Sequence, residues 1–156
     1  GSPYVIGNTS PDLDSTYLDL AGYIRRNSGE EDRIFVWGFQ PIIYVASGRR
    51  PASRFIICHA LTGQIPWVNI DPAIDTSRWI LPGSWPTLMQ ELQENRPLFI
   101  IDTSPGNYAA YGKYPVERYL QLYWFLRNKY VMDTIIFRKS SRGDRPYYHV
   151  YRRMGP

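Results

Sequence analysis

The sequence predicts an α/β protein: a layered sandwich whose sheet is mostly parallel, with an antiparallel hairpin closing one edge at the C-terminus. Three observations carry this. Segments with apolar residues at helical spacing alternate with short β-branched or aromatic runs. One such run, Leu98–Asp102, is continuously apolar and ends in an acid, as a parallel strand buried on both faces does. Two strand-like runs near the C-terminus flank the turn SSRGDRP, where Gly143 and Asp144 supply turn chemistry.

The elements follow in order. Thr9–Pro11 open the first helix, with Ser10 or Asp12 as its cap. Tyr17, Leu20, Ala21 and Ile24 give that helix one buried face, Arg25 and Arg26 suit its C-terminal end, and Gly29 stops it. Arg33–Trp37 is the first strand. A short helix over Pro41–Ser47 begins on a proline and ends at Gly48 in a left-handed cap. A second strand is expected over Ser53–His59, with Cys58 as a small core residue. The segment from Thr62 to Ser84 is rich in proline and glycine, and so long a loop implies function or short helical turns. A helix over Trp85–Glu94 has Ser84 as its cap and Trp85, Met89 and Leu92 on one face, and Pro97 ends it. After the Leu98–Asp102 strand comes a second long loop, Thr103–Tyr114. Pro115 then opens the longest helix, to Asn128, with Val116, Tyr119, Leu120, Tyr123 and Leu126 inward. Strands at Asp133–Lys139 and Tyr147–Met154 complete a Rossmann-like order.

In such sheets ligands sit beyond the carboxyl ends of the strands. That rule points to Gly38–Gln40, to His59 and the loop after it, and to the stretch from Asp102 through Tyr108 to Lys113. Asp102 is expected to cap its loop or to pair with Arg49, Arg50 or Arg54. Alternatively these arginines and nearby loop amides receive a phosphate or sugar carboxylate. Trp67 and Trp79 lie in the long loop, where they either pin it to the body or stack on a sugar ring or membrane interface. The candidate contact residues are therefore Gln40, Arg49, Arg50, Arg54, Trp67, Trp79, Asp102, Tyr108 and Lys113.

Composition excludes more than it assigns. The chain of 156 residues suits one domain, has 15% aromatic residues and carries a net charge of +4. Arg138, Lys139, Arg142, Arg145, Arg152 and Arg153 crowd the closing hairpin, where basic side chains commonly guard an edge. There is neither a G-x-G-x-x-G after the first strand nor a P-loop, so no nucleotide cofactor is expected. Two histidines and one cysteine exclude a structural zinc site and an internal disulfide. Ser104, His59 and Asp102 all fall at strand ends, but no nucleophile elbow accompanies them. No nucleic-acid module is present, and no apolar run is long enough to span a bilayer.

Several short blocks, in order, resemble one family. They are Tyr23-Ile24-Arg25, Asp32–Gly38 (DRIFVWG), Pro41–Tyr44, Gly48-Arg49, Arg54-Phe55, Pro97–Asp102, Tyr114-Pro115, Tyr130 and Val150-Tyr151-Arg152-Arg153. Together the chain resembles the extracytoplasmic C-terminal domain of bacterial membrane glycosyltransferases of the dolichyl-phosphate-mannose–protein mannosyltransferase-like class. The resemblance implies a parent enzyme that moves a sugar from a polyprenyl-phosphate carrier, with its catalytic carboxylates in a membrane domain. It implies for this chain an inactive accessory role, without cofactor, metal or catalytic residue, that shapes the acceptor site on the periplasmic face. The implied partners are the membrane domain of the same polypeptide, the membrane surface, a lipid-linked sugar and a glycan or protein acceptor. Gly1-Ser2 reads as a cleavage scar before a single domain at 3–156, excised from a longer polytopic protein. The alternative is a free-standing α/β protein that binds or hydrolyses a phosphorylated ligand.

Overall fold

A computed structural model describes residues 14–156. The predicted opening of the first helix at Thr9–Pro11, with its Ser10 or Asp12 cap, lies outside them. The described chain is a mixed α/β fold around one five-stranded sheet. Helix α1 (Thr16–Arg26) buries Thr16, Leu20, Ala21 and Ile24. It stops at Asn27, two residues before the expected Gly29. The Asn27 side chain donates to the Tyr23 carbonyl at 2.8 Å and so satisfies an open end of the helix. Gly29 instead forms the turn into the sheet, donating its N–H to the Asp32 carboxylate at 2.8 Å.

Strand β1 (Arg33–Trp37) is buried from Ile34 onward. Helix α2 (Ile42–Ser47) begins after Pro41 and ends at Gly48, whose φ of 67° is the left-handed cap the sequence required. Strand β2 is only Arg50–Pro51, which corrects the expected strand over Ser53–His59. Pro51 lacks a donor for further pairing. Beyond it, the Glu91 carboxylate takes the Ser53 hydroxyl at 2.8 Å and the Arg54 N–H at 3.1 Å, pulling the chain away from the sheet. His59–Thr62 then forms one helical turn, α3. Helix α4 (Ser84–Asn95) starts behind Gly83 rather than at a Ser84 cap. The Ser84 hydroxyl faces inward and donates to the Ala60 carbonyl at 3.1 Å.

Strand β3 (Phe99–Asp102) is wholly buried. Helix α5 spans Leu120–Lys129, not Pro115–Asn128, and with 10 residues it is shorter than the 12 of α4. Residues Val116–Arg118 form a separate 3₁₀ turn. Tyr119 is extended there because its ring stacks on Trp85 at 4.9 Å and packs tilted against Trp37 at 5.2 Å before the helix can begin. The shift also turns the helix, so that Leu122 and Leu126 are inward and Leu120 is 69% exposed.

Strands β4 (Tyr130–Arg138) and β5 (Arg145–Arg153) form the closing hairpin. The strand order is β2-β1-β3-β5-β4. Strand β1 pairs in parallel with β2 and β3, while β5 is antiparallel to both β3 and β4. The sheet is therefore mixed, with parallel pairing confined to its first three strands. Alternation along β1 and β3 divides the core in two. Ile34, Val36, Phe99 and Ile101 pack with α1 and α2, and Phe35, Trp37 and Ile100 pack with α4 and α5. Cys58 is fully buried in the second group, and burial pushes its thiol up to about 12. Among the described residues no helix is long and apolar enough to cross a membrane.

Candidate functional site at the carboxyl ends of the strands

The expected contact residues separate into two groups. Arg50 pairs with Arg33 at the start of β1, whereas Asp102 pairs with Trp37 at its end. Four residues of strand, roughly 13 Å, lie between those levels. Arg49 is buried and spent locally: its guanidinium donates to the Ser28 hydroxyl at 2.8 Å and to the Ser28 carbonyl at 3.2 Å. Arg54 pairs with Glu91 at 2.8 Å on the surface of α4. The expected pairing of Asp102 with Arg49, Arg50 or Arg54 is thus corrected: Arg49 and Arg54 are engaged elsewhere, and Arg50 lies at the opposite end of β1.

Gln40, Trp67, Asp102, Tyr108 and Lys113 do gather at the carboxyl end. Gln40 is buried and accepts the Tyr148 hydroxyl at 2.5 Å, while its Nε2 has no partner. Lys113 does not reach outward. Its ammonium donates to the carbonyls of Asn69 at 3.0 Å, Asp71 at 2.9 Å and Ile74 at 3.4 Å, and burial holds it below the usual lysine range. That clamp fixes the long loop. Thr76 adds to it, donating to the Thr62 carbonyl at 2.6 Å. Gly63 permits the close approach, because a Cβ there would lie 1.9 Å from the Thr76 carbonyl oxygen.

The clamped loop displays apolar side chains. Val68 is 68% exposed, Ile70 57% and Leu81 56%, and Ile65, Ile74, Trp67 and Trp79 join them. Trp67 holds a left-handed φ of 61°, unusual for a bulky residue. Its ring meets Tyr108 edge-on at 5.7 Å and Phe39 at 6.3 Å. Phe39 in turn lies 4.9 Å from His59 and 6.4 Å from Tyr108. This aromatic cluster forms the floor below the rim. Trp79 stands apart from it, beneath the Arg78 guanidinium at 4.4 Å.

The arrangement is not a hydrolase triad. His59 Nδ1 bonds the Tyr111 hydroxyl at 2.9 Å, and Tyr111 also contacts Thr62. Asp102 instead takes the N–H of Ser104 at 2.8 Å and that of Val116 at 3.4 Å, capping its own loop. Burial raises its carboxyl from the ordinary 3.8 to about 6. Directly across the sheet from Asp102 stands His149, on β5. Its Nδ1 is buried without a partner, and burial holds the imidazole below its ordinary value. Sequence reasoning missed His149 because only the register of the antiparallel β3–β5 pair brings it to Asp102.

The loop around these residues is preformed. Asn107, Ala109 and Ala110 are all left-handed, with φ of 56°, 55° and 64°. Gly112 donates to the Asn107 side chain at 2.9 Å. At Gly106 a Cβ would lie 2.7 Å from the Tyr147 ring. Among the described residues no cluster of His, Cys, Asp or Glu is arranged to hold a metal ion. No family model, curated protein or solved structure matches this chain, so its geometry and sequence pattern carry the functional reading.

Proposed function

We propose that this chain is a non-catalytic accessory domain of a membrane glycosyltransferase of the mannosyltransferase-like class. In this reading the parent takes a sugar from a polyprenyl-phosphate carrier at the periplasmic face of the cytoplasmic membrane. The domain docks over the membrane domain and shapes the acceptor site, using no cofactor or metal of its own. The three parallel strands are read as the remnant of a Rossmann-like half. The observation that carries the proposal is the apolar rim from Ile65 to Leu81. A flexible loop would lose conformational entropy on docking, but this one is already fixed by Lys113 and Thr76. Rigid, exposed apolar side chains beside an aromatic floor suit a surface meant to be covered. Trp67 and Trp79 are also the residue type that settles at a membrane interface.

The alternative, a free-standing binder of phosphorylated ligands, needs available cations. Of the candidate cations, Arg49 and Lys113 are engaged by the framework, Arg54 is paired with Glu91, and Arg50, unpaired among the described residues, stands at the opposite end of the sheet from Asp102. The test is a photo-crosslinking amino acid placed at Val68 in the membrane-embedded parent. An intramolecular crosslink to the membrane domain, absent when the probe is moved to Glu94 on the far surface of α4, is expected. Equal labelling at the two positions, or none at Val68, refutes the proposal.

A further inference from the structure

A second surface feature adjoins the foot of the apolar rim, sharing Asn107 and Gly112 with the hollow that Ile70 and Pro72 line. A shallow cleft of about 530 Å³ opens beside the end of β3, lined by Asp102, Ser104, Glu117, Arg145 and His149 among others. Its size falls in the range of small-ligand sites. We propose that this cleft binds a neutral polyhydroxylated ring, a pyranose unit, through Glu117, Arg145 and His149.

The chemistry of the walls selects that class. Glu117 and Arg145 form no ion pair among the described residues, so both present unspent hydrogen-bonding capacity at the mouth. Asp102 at the base is an acceptor already capped by backbone. His149 offers its Nε2, since its Nδ1 is shut off from the cleft. Glu117 supplies a carboxylate acceptor and Arg145 a guanidinium donor within one space, the complement of hydroxyls, which both donate and accept. A phosphate would meet two carboxylates against one arginine and be repelled. Pro105, Pro115 and Pro146 add flat apolar faces between the polar groups. A pyranose has the matching form, with hydroxyls at its edge and C–H groups on its faces. The wall at Asn107 is fixed by the Gly112 N–H that its side chain accepts at 2.9 Å, and a preformed site spends little binding energy on ordering.

Every residue lining the cleft belongs to this chain, so the isolated chain suffices for its test. Amide resonances are followed by NMR during titration with methyl gluco-, galacto- and mannopyranoside, and separately with inorganic phosphate. For about a dozen heavy atoms at ordinary ligand efficiency, a dissociation constant on the order of 1 mM is expected for at least one pyranoside. Shifts should centre on Ser104, Glu117 and His149. Glu117→Gln and Arg145→Ala lie on the exposed mouth and leave the core intact; each should weaken binding at least about fivefold, as loss of one hydrogen bond does. His149→Ala should do so as well. No localised shifts up to about 50 mM, shifts unaffected by Glu117→Gln and Arg145→Ala, or phosphate displacing the pyranosides as the bound species would each overturn the proposal.

Discussion

Replacing Asp102 by asparagine should change the pH dependence of stability in a direction opposite to that of most acidic side chains. A carboxylate that gains partners on folding has a lowered pKa and stabilises a protein as pH rises. Asp102 is the reverse, because burial outweighs its two backbone hydrogen bonds and raises it from 3.8 to about 6. Below about pH 4 both the folded and the unfolded chain hold the proton, and the residue costs nothing. As pH rises through 4 the unfolded chain ionises first, so the folded state is penalised, and the penalty levels off above 6. The gap between 3.8 and about 6, at about 1.36 kcal/mol per pH unit, is about 3 kcal/mol.

Asparagine removes this term. It also loses one oxygen, the acceptor of the long 3.4 Å bond from Val116, a pH-independent loss of about 1 kcal/mol. Urea unfolding followed by tryptophan fluorescence, at pH 4, 5, 6, 7 and 8, measures both proteins. Asp102→Asn should be slightly less stable than the parent at pH 4 and more stable by about 2 kcal/mol at pH 8, the about 3 kcal/mol less the lost bond. The two histidines titrate in both proteins and drop out of the difference to first order. A gap that stays constant with pH, or that favours the parent as pH rises, refutes the argument from burial.

Three further outcomes follow from the same geometry. Gly38→Ala should cost roughly 3–5 kcal/mol, since φ there is 129° and the new Cβ would lie 2.0 Å from Thr103 Oγ1; Gly48→Ala, with φ of 67° and open space around it, should cost only about 1–2 kcal/mol in the same denaturation assay. Lys113→Met should leave global stability nearly unchanged but raise amide hydrogen exchange across residues 65–81, because three carbonyls lose their shared donor; unchanged exchange would show that the clamp is not what fixes the loop. Cys58, fully buried and with its thiol pushed up to about 12, should resist a thiol-specific reagent in the native state and react only at the rate of global unfolding in the presence of denaturant.

The parts legible in the sequence are those set by local pattern. Arg33–Trp37 and Leu98–Asp102 needed only continuous apolar character to be read as buried strands, and Gly48 needed only its place after a short helix. The parts that were not legible depend on side chains far apart in the chain. Ser53–His59 has strand composition, yet Glu91 on α4 captures Ser53 and Arg54 and takes the segment out of the sheet. The helix after Pro115 is delayed because Tyr119 is claimed by Trp37 and Trp85. At the candidate site, Gln40, Asp102, Tyr108 and Lys113 lie at the carboxyl edge to which the strand-end rule pointed. It could not show that Lys113 faces inward, or that antiparallel register sets His149 beside Asp102. The arginine cluster misled because closeness in sequence is not closeness across a sheet: Arg50 and Asp102 mark opposite ends of β1.

The central claim is that this domain serves a membrane enzyme, and the most direct measurement is to sequence the source gene upstream of the codon for Pro3. The account predicts a long open frame encoding many apolar segments of about 20 residues, each able to cross a bilayer. A start codon within a few residues of Pro3, with no such segments before it, would contradict the account and leave the cleft beside Asp102 and His149 as the place to seek a function.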